Sequence, residues 1–302
     1  MSVRTHLDGD CSKDVALPGN FPFGSAESVP LRSPNEVRAL LDSHRASIVS
    51  YLEGYFRLYN SAHLFDDTKL LAEVHQFWQT PEKYDLGWLA QYLAVIGLGA
   101  CAEGVEDKVA ADFFLASEAC LSQTPFMYRP TVANIRTLFL HAQAKQVFYA
   151  TCWALDASWN MIGLIIRLSI MLGLHRSWMP DPDEIPSIFE ERERRQKLWN
   201  AVVKMDIEMS LVTGQASPLP PDAFLANTME NIECSSHDSR DILAASFLLI
   251  HEILTRLNTS LDMISYEDIV RYDTELRSIM RSAIASAEQQ SYILRLTTYV
   301  KV

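Results

Sequence analysis

The centre of the chain constrains its fold most, because it carries two apolar stripes of helical period separated by prolines. Trp153, Ala157, Met161, Leu164, Leu168 and Met171 recur at steps of three and four. Residues so spaced share one face of a helix. Gly173 is the residue type that closes such a helix in the left-handed conformation. Pro180, Pro182 and Pro186 then interrupt the pattern. A second long helix is predicted to open in the charged stretch 190–197 and to continue with Leu198, Val202, Met205, Met209 and Val212 on one face. Gly214 ends it, and Pro218, Pro220 and Pro221 prevent its continuation.

The flanking regions extend the same pattern. Residues 1–32 read as a linker-like tail, punctuated by Pro18, Gly19, Pro22, Gly24 and Pro30 and without a period. Ser33, Pro34 and Glu36 then stand where a capping box and a first-turn proline belong. Val37, Leu40, Leu41, Ile48, Leu52, Tyr55, Phe56 and Tyr59 follow as one helical stripe. Asp67 is placed to cap a helix with Leu70, Leu71, Val74 and Trp78, and Pro81 and Asp85 precede another around Trp88, Tyr92, Leu93 and Ile96. Phe113, Ala116 and Cys120 mark a further helix, and Thr131 opens one through Ile135, Leu138 and Phe148. Residues 226–240 are polar and read as a loop. Two helices come after it, one through Phe247, Ile250, Leu254 and Leu257, the other through Ile269, Leu276, Ile279 and Ile284. No strand-like alternation and no repeat of fixed period occurs. The expected fold is all-α: residues 33–302 form one large multi-helix domain of packed antiparallel helices.

Charge narrows the function. The chain has 302 residues and a net charge of -12, a sign that duplex DNA repels. No run of Lys and Arg is long enough to serve as a DNA-binding arm. The five cysteines, Cys11, Cys101, Cys120, Cys152 and Cys234, are scattered and form no C-x-x-C pair. That argues against a disulfide framework and for a reducing compartment. The N-terminus has no apolar signal run. The most apolar window, Leu86 to Ala102, is short for a membrane span and reads as a buried helix.

Enzyme motifs fit poorly. His251-Glu252 lacks a second His at metal-binding spacing. Gly97-Leu98-Gly99 follows a helical run where a dinucleotide loop needs a strand. Asp66-Asp67 is like the aspartate-rich box of all-helical terpene synthases, but Leu70 stands at the third carboxylate position. A terpene-synthase-like enzyme is the distant alternative. Trp153, Trp159 and Trp199, with Met161, Met171, Met205 and Met209, fit a core better than a ligand cavity.

Residues 162–176, IGLIIRLSIMLGLHR, resemble the signature of the fungal-specific transcription factor domain, the middle homology region of fungal zinc-cluster regulators. In that family a helix ends in Gly-Leu-His-Arg, and the next opens with Glu-x-Arg-Arg and a Leu-Trp pair. Gly173, Leu174, His175 and Arg176 match the first element; Glu193, Arg194, Arg195, Leu198 and Trp199 match the second. Asp206 and Gly214 fit the positions that follow. Residues 31–80 and 86–102 resemble the family's opening segments. Asn200, Ile207, Gln215 and Ala216 depart from the family pattern, and the C-terminal half is short, as in a truncated member.

The resemblance implies a non-enzymatic, nuclear, effector-responsive regulator of transcription, controlling a metabolic or secondary-metabolite gene cluster. Arg167, Gly173, Leu174, His175, Arg176, Glu193, Arg194, Arg195, Leu198, Trp199, Asp206 and Gly214 are then structural or switch elements. The family's zinc cluster needs six closely spaced cysteines, and Cys11 is the one cysteine before Cys101. No metal or other cofactor is therefore expected in this chain. DNA is expected to be reached indirectly, through a separate module or a homo- or heterodimeric partner. A small-molecule effector is expected, and no membrane. The alternative is a helical interaction protein that has lost DNA binding and acts through a full-length partner. Arg176 or Arg167 is expected to pair with Glu190, Glu191 or Glu193 across the proline loop.

Overall fold

The computed structural model describes residues 17–60, 63–148, 152–176, 185–220, 237–259 and 264–287. Ten α-helices occur among them, and no strand. They are α1 (Pro34–Ser43), α2 (Ile48–Leu58), α3 (Asp67–Gln79), α4 (Leu86–Ala102), α5 (Asp107–Ser122), α6 (Val132–Phe148), α7 (Cys152–Met171), α8 (Pro186–Thr213), α9 (His237–Thr259) and α10 (Tyr266–Ala287). The all-α expectation holds. The chain divides into two compact units, Met1–Ala154 with Arg167–Leu172, and Leu155–Ile166 with Gly173–Val302.

The first unit is built round α4. Asp85 caps it by accepting the Trp88 amide at 2.7 Å, which satisfies a donor that has no partner inside the helix. Apolar residues lie on all its sides, and they are buried against α2, α5 and α6. Glycine permits the closest approach. A Cβ at Gly99 would lie 1.8 Å from the Tyr51 carbonyl oxygen of α2, and one at Gly54 would lie 3.0 Å from the Gly99 oxygen. The Gly97-Leu98-Gly99 run is thus a helix-crossing surface inside α4.

Three local expectations shift. The stripe from Val37 to Tyr59 breaks into α1 and α2 at His44–Ser47, since His44 is a C-cap. Ser33 precedes Pro34 as expected, but its side chain makes no capping bond. Asp66, not Asp67, caps α3; it accepts the Lys69 amide at 2.9 Å and the Thr68 hydroxyl at 2.6 Å. These bonds hold its carboxyl below the usual range, the Thr68 hydroxyl contributing most. The Asp66-Asp67 pair is thereby accounted for as a helix start.

The linker-like reading fails for residues 17–32; residues 1–16 lie outside those described. Leu17 and Phe21 are buried, as are Ser25 and Ser28, and two short 3-10 turns carry the segment onward, Ala26–Ser28 and Pro30–Arg32. The anchor is Glu118 on α5, fully buried, whose Oε1 accepts the amides of Gly24 and Ser25, each at 2.7 Å. Two charge-assisted bonds offset much of the cost of burying a carboxylate. Beside it, Ser117 donates to the Ala90 carbonyl at 2.6 Å, so its oxygen accepts from Nε2 of His141 at 2.7 Å. Burial pushes His141 down to about 3 and keeps it neutral, with the Lys145 charge acting in the same direction.

In the second unit, α9 and α10 pair through charge. Arg256 donates to Asp268 at 2.7 Å, and Arg271 to Glu252 at 3.1 Å. The loop expected over 226–240 does not extend through its last residues: α9 begins at His237, and 226–236 lie outside the described residues. Pro180, Pro182, Pro221 and the C-terminal stretch 288–302 also lie outside them, as do the side chains of Trp153 and Ile284.

Candidate functional site

The junction between α7 and α8 holds most residues that the sequence singles out. Met161 and Leu168 of the α7 stripe are buried, whereas Met171 is exposed at its end. Gly173 follows with φ of +76°, a conformation that costs glycine little and other residues more. The Arg176 amide donates to the Gly173 carbonyl, and Leu174 is buried at 2% exposure. His175 and Arg176 are exposed, and the His175 ring meets the Trp199 ring edge-on at 6.2 Å. Arg167 is exposed on α7.

The second helix starts earlier than the charged stretch predicts. Pro186 takes its first position, where the missing amide hydrogen costs no helical bond, so this proline opens α8 and does not break it. Glu191 pairs with Arg194 at 3.0 Å, and Glu193 with Lys197 at 2.7 Å. Both pairs run along the helix surface. Among the described residues, no carboxylate lies within ion-pair distance of Arg176. The expected cross-loop tie therefore does not form through Arg176, because Glu191 and Glu193 are engaged on their own helix.

Further along α8, Leu198, Trp199, Val202, Met205 and Met209 are buried as their spacing predicts, and Val212 is more exposed. Asp206 is buried among them at 1% exposure. Burial pushes its carboxyl up to about 6, and a hydrogen bond from the Ser217 hydroxyl partly opposes that rise. Ser217 Oγ also accepts the Leu219 amide at 3.1 Å. Gly214 ends α8 at φ +69°, so the chain turns back and brings Ser217 to Asp206. The Asn258 side chain of α9 donates to the Gly214 carbonyl at 3.0 Å.

A cleft of about 440 Å³ opens where the Gly173 turn faces the first turns of α8. Gly173, Leu174 and Arg176 of the turn line it together with Ser187, Ile188, Glu191, Arg192, Arg195 and Gln196 of α8. The sequence motif marks Arg176 and Arg195 but not Arg192 or Ser187. The missed signal is spacing: Ile188, Arg192, Arg195 and Trp199 stand four, three and four residues apart, so they share one face of α8. Among the described residues, no cluster of three metal-ligating side chains occurs and no helix is long and apolar enough to cross a membrane.

The chain is similar to fungal transcription regulators. It is 23% identical over 273 residues to the transcription factor opdR of Penicillium oxalicum, covering 78% of this chain and 32% of that protein. It is 22% identical over 266 residues to the Zn(2)-C6 fungal-type transcription factor mpsB of Macrophomina phaseolina, covering 72% and 32%. It is 22% identical over 185 residues to the lactose regulatory protein LAC9 of Kluyveromyces lactis, covering 58% and 19%. The chain thus spans about a third or less of the length of these relatives. No family model matches it, and no solved structure does.

Proposed function

We propose that the chain is the helical regulatory domain of a fungal zinc-cluster-type transcription regulator, working without catalysis. The observation that carries this reading is the similarity to opdR, mpsB and LAC9 over half to three quarters of the chain. The geometry of the α7–α8 junction supports it. Gly173, Leu174, Trp199, Asp206 and Gly214 hold two helix ends in a defined turn-and-seam arrangement, with His175 and Arg176 at its edge. In this reading the domain acts in the nucleus and controls a metabolic or secondary-metabolite gene cluster. It takes no cofactor of its own. A net charge of -12 makes it a poor ligand for DNA. DNA is read by a zinc-cluster module, in cis or on a homo- or heterodimeric partner. An effector that binds one arrangement of the domain better than another shifts the output by that difference in affinity.

The test is a reporter assay. A heterologous DNA-binding module and an activation segment are joined either directly or through this chain. Insertion is expected to change reporter output about fivefold or more, a coupling of about 1 kcal/mol. Equal output with and without the chain, at matched protein levels, removes the regulatory reading.

A further inference from the structure

Helix α10 carries apolar residues on two of its faces. One face meets α9: Tyr272 is buried there and donates to Glu252 at 3.0 Å, and Asp268 accepts from Arg256 at 2.7 Å. Leu276 and Ile279 share that face by helical spacing and are half-buried. A second face holds Glu267, Thr274, Ser278 and Arg281, all polar and all exposed. The third face repeats at steps of four, three, four and three, through Tyr266, Val270, Asp273, Arg277 and Met280. Each of these five is exposed, Val270 at 46% and Met280 at 43%. Ile269, also exposed, lies at the edge of the stripe. Apolar side chains grouped in this way on a surface helix mark a contact face.

This third face is complementary to itself when reversed. Val270 and Met280 lie five residues to either side of Glu275, and Asp273 and Arg277 lie two to either side. An antiparallel copy laid along the stripe sets Val270 against Met280 and Asp273 against Arg277, each contact occurring twice. We propose that α10 is a self-association face, on which a second copy of this chain docks antiparallel through Val270, Asp273, Arg277 and Met280. Charge complementarity selects that occupant. A two-fold contact must match its own surface, and this stripe does so with apolar against apolar and acid against base. A parallel pairing would oppose Asp273 to Asp273 and Arg277 to Arg277, which costs free energy. Within one chain Arg277 Nε already donates to Asp273 Oδ2 at 2.7 Å, on open surface. A guanidinium has five donors, so Arg277 keeps that bond while it meets Asp273 of the second copy. The contact spans about three helical turns. It is therefore small, and association is expected in the micromolar range.

Sedimentation velocity of the full chain, at concentrations from about 1 to about 300 µM and about 0.15 M salt, tests this. A monomer–dimer equilibrium is expected. Asp273→Arg and Arg277→Asp each place like charges against one another across the two-fold axis. Each should weaken dimerisation about tenfold or more, which corresponds to about 1.4 kcal/mol. Mixed in equal amounts, the two variants should recover a heterodimer, because one then presents two bases where the other presents two acids. That recovery separates a contact between chains from loss of the pair along α10, which stays broken in both variants. Met280→Glu should also weaken association, and circular dichroism should show all three variants folded, since the positions are exposed. Arg38→Gln, which removes an exposed charge paired with Asp42 on α1, should leave the equilibrium unchanged. A monomer across the whole range overturns the proposal. So does a dimer that none of the α10 variants weakens, or a mixture that stays as weak as its components. Association is read on the purified chain and does not depend on the regulatory reading. A dimer with a flat reporter removes only that reading, and a responsive reporter with a monomeric chain removes only this face.

Discussion

Helix α4 and the opening turns of α8 sit in opposite environments. The 17 residues of α4 are buried on nearly every side, and Ser117 of α5 meets it by donating to the Ala90 carbonyl. The 28 residues of α8 divide along the helix: its first turns are mainly exposed and carry charges that pair along the surface, whereas Leu198 to Ser210 is buried on most sides. The contrast teaches where each helix tolerates change. In α4 the limit is volume, because backbone already touches backbone. In α8 the limit is the polarity of a few inward positions, while its surface charges are nearly free to vary.

The sharpest way to break the comparison is Gly99→Ala. The new Cβ would sit 1.8 Å from the Tyr51 carbonyl oxygen, so α2 and α4 must separate. The gain in helix propensity is about 1 kcal/mol, and the overpacking penalty is about 3 kcal/mol or more. Net destabilisation is therefore expected, read as a lower urea midpoint by circular dichroism. An unchanged midpoint would mean that the α2–α4 crossing is looser than its geometry shows.

Asp206→Asn sharpens the other side. The Asp206 carboxyl lies at about 6 in the folded chain against an ordinary 3.8. The folded state therefore binds more protons than the unfolded state between these values. Asp206 favours folding most below about pH 4, loses that contribution as pH rises to about 6, and is flat above. The change is about 3 kcal/mol. The difference between unaltered chain and Asn variant, followed by urea unfolding from pH 4 to pH 7, should show this fall. Parallel pH profiles would refute the buried acid as its source.

The smallest effect is predicted for Lys197→Ala, which removes the exposed pair with Glu193 at 2.7 Å. The cost should not exceed about 0.5 kcal/mol, and it should shrink at high salt. A loss of several times that size would mean that α8's surface charges belong to a network of consequence.

Much of this architecture is legible in the residue pattern, for physical reasons. Asp85 and the apolar run after it mark α4, and Gly173 and Gly214 mark the left-handed ends of α7 and α8. Leu198, Trp199, Val202, Met205 and Met209 declare the buried face by spacing alone. Glu118 is illegible by the same logic, because an acid within a helical run reads as surface until the amides that meet it, 93 and 94 residues away in sequence, are known. Residues 17–32 escaped for the same cause: prolines and glycines announce irregular backbone, but not whether it is packed. The cleft was half visible. Arg176 and Arg195 stand in the motif of the resemblance, but that Arg192 lines the same cleft depends on which face of α8 meets the turn.

The Glu118 anchor also decides where this protein can be shortened. A fragment that begins at Ser33, the first residue of the regular helical pattern, would take away both amides that solvate the carboxylate and the Phe21 ring that lies 6.2 Å from Phe114 and 4.8 Å from His141. The exposed interior would then hold an acid without donors beside bare aromatic surface. Expression should begin ahead of Leu17, and a trimmed version is expected to be recovered mainly as insoluble material.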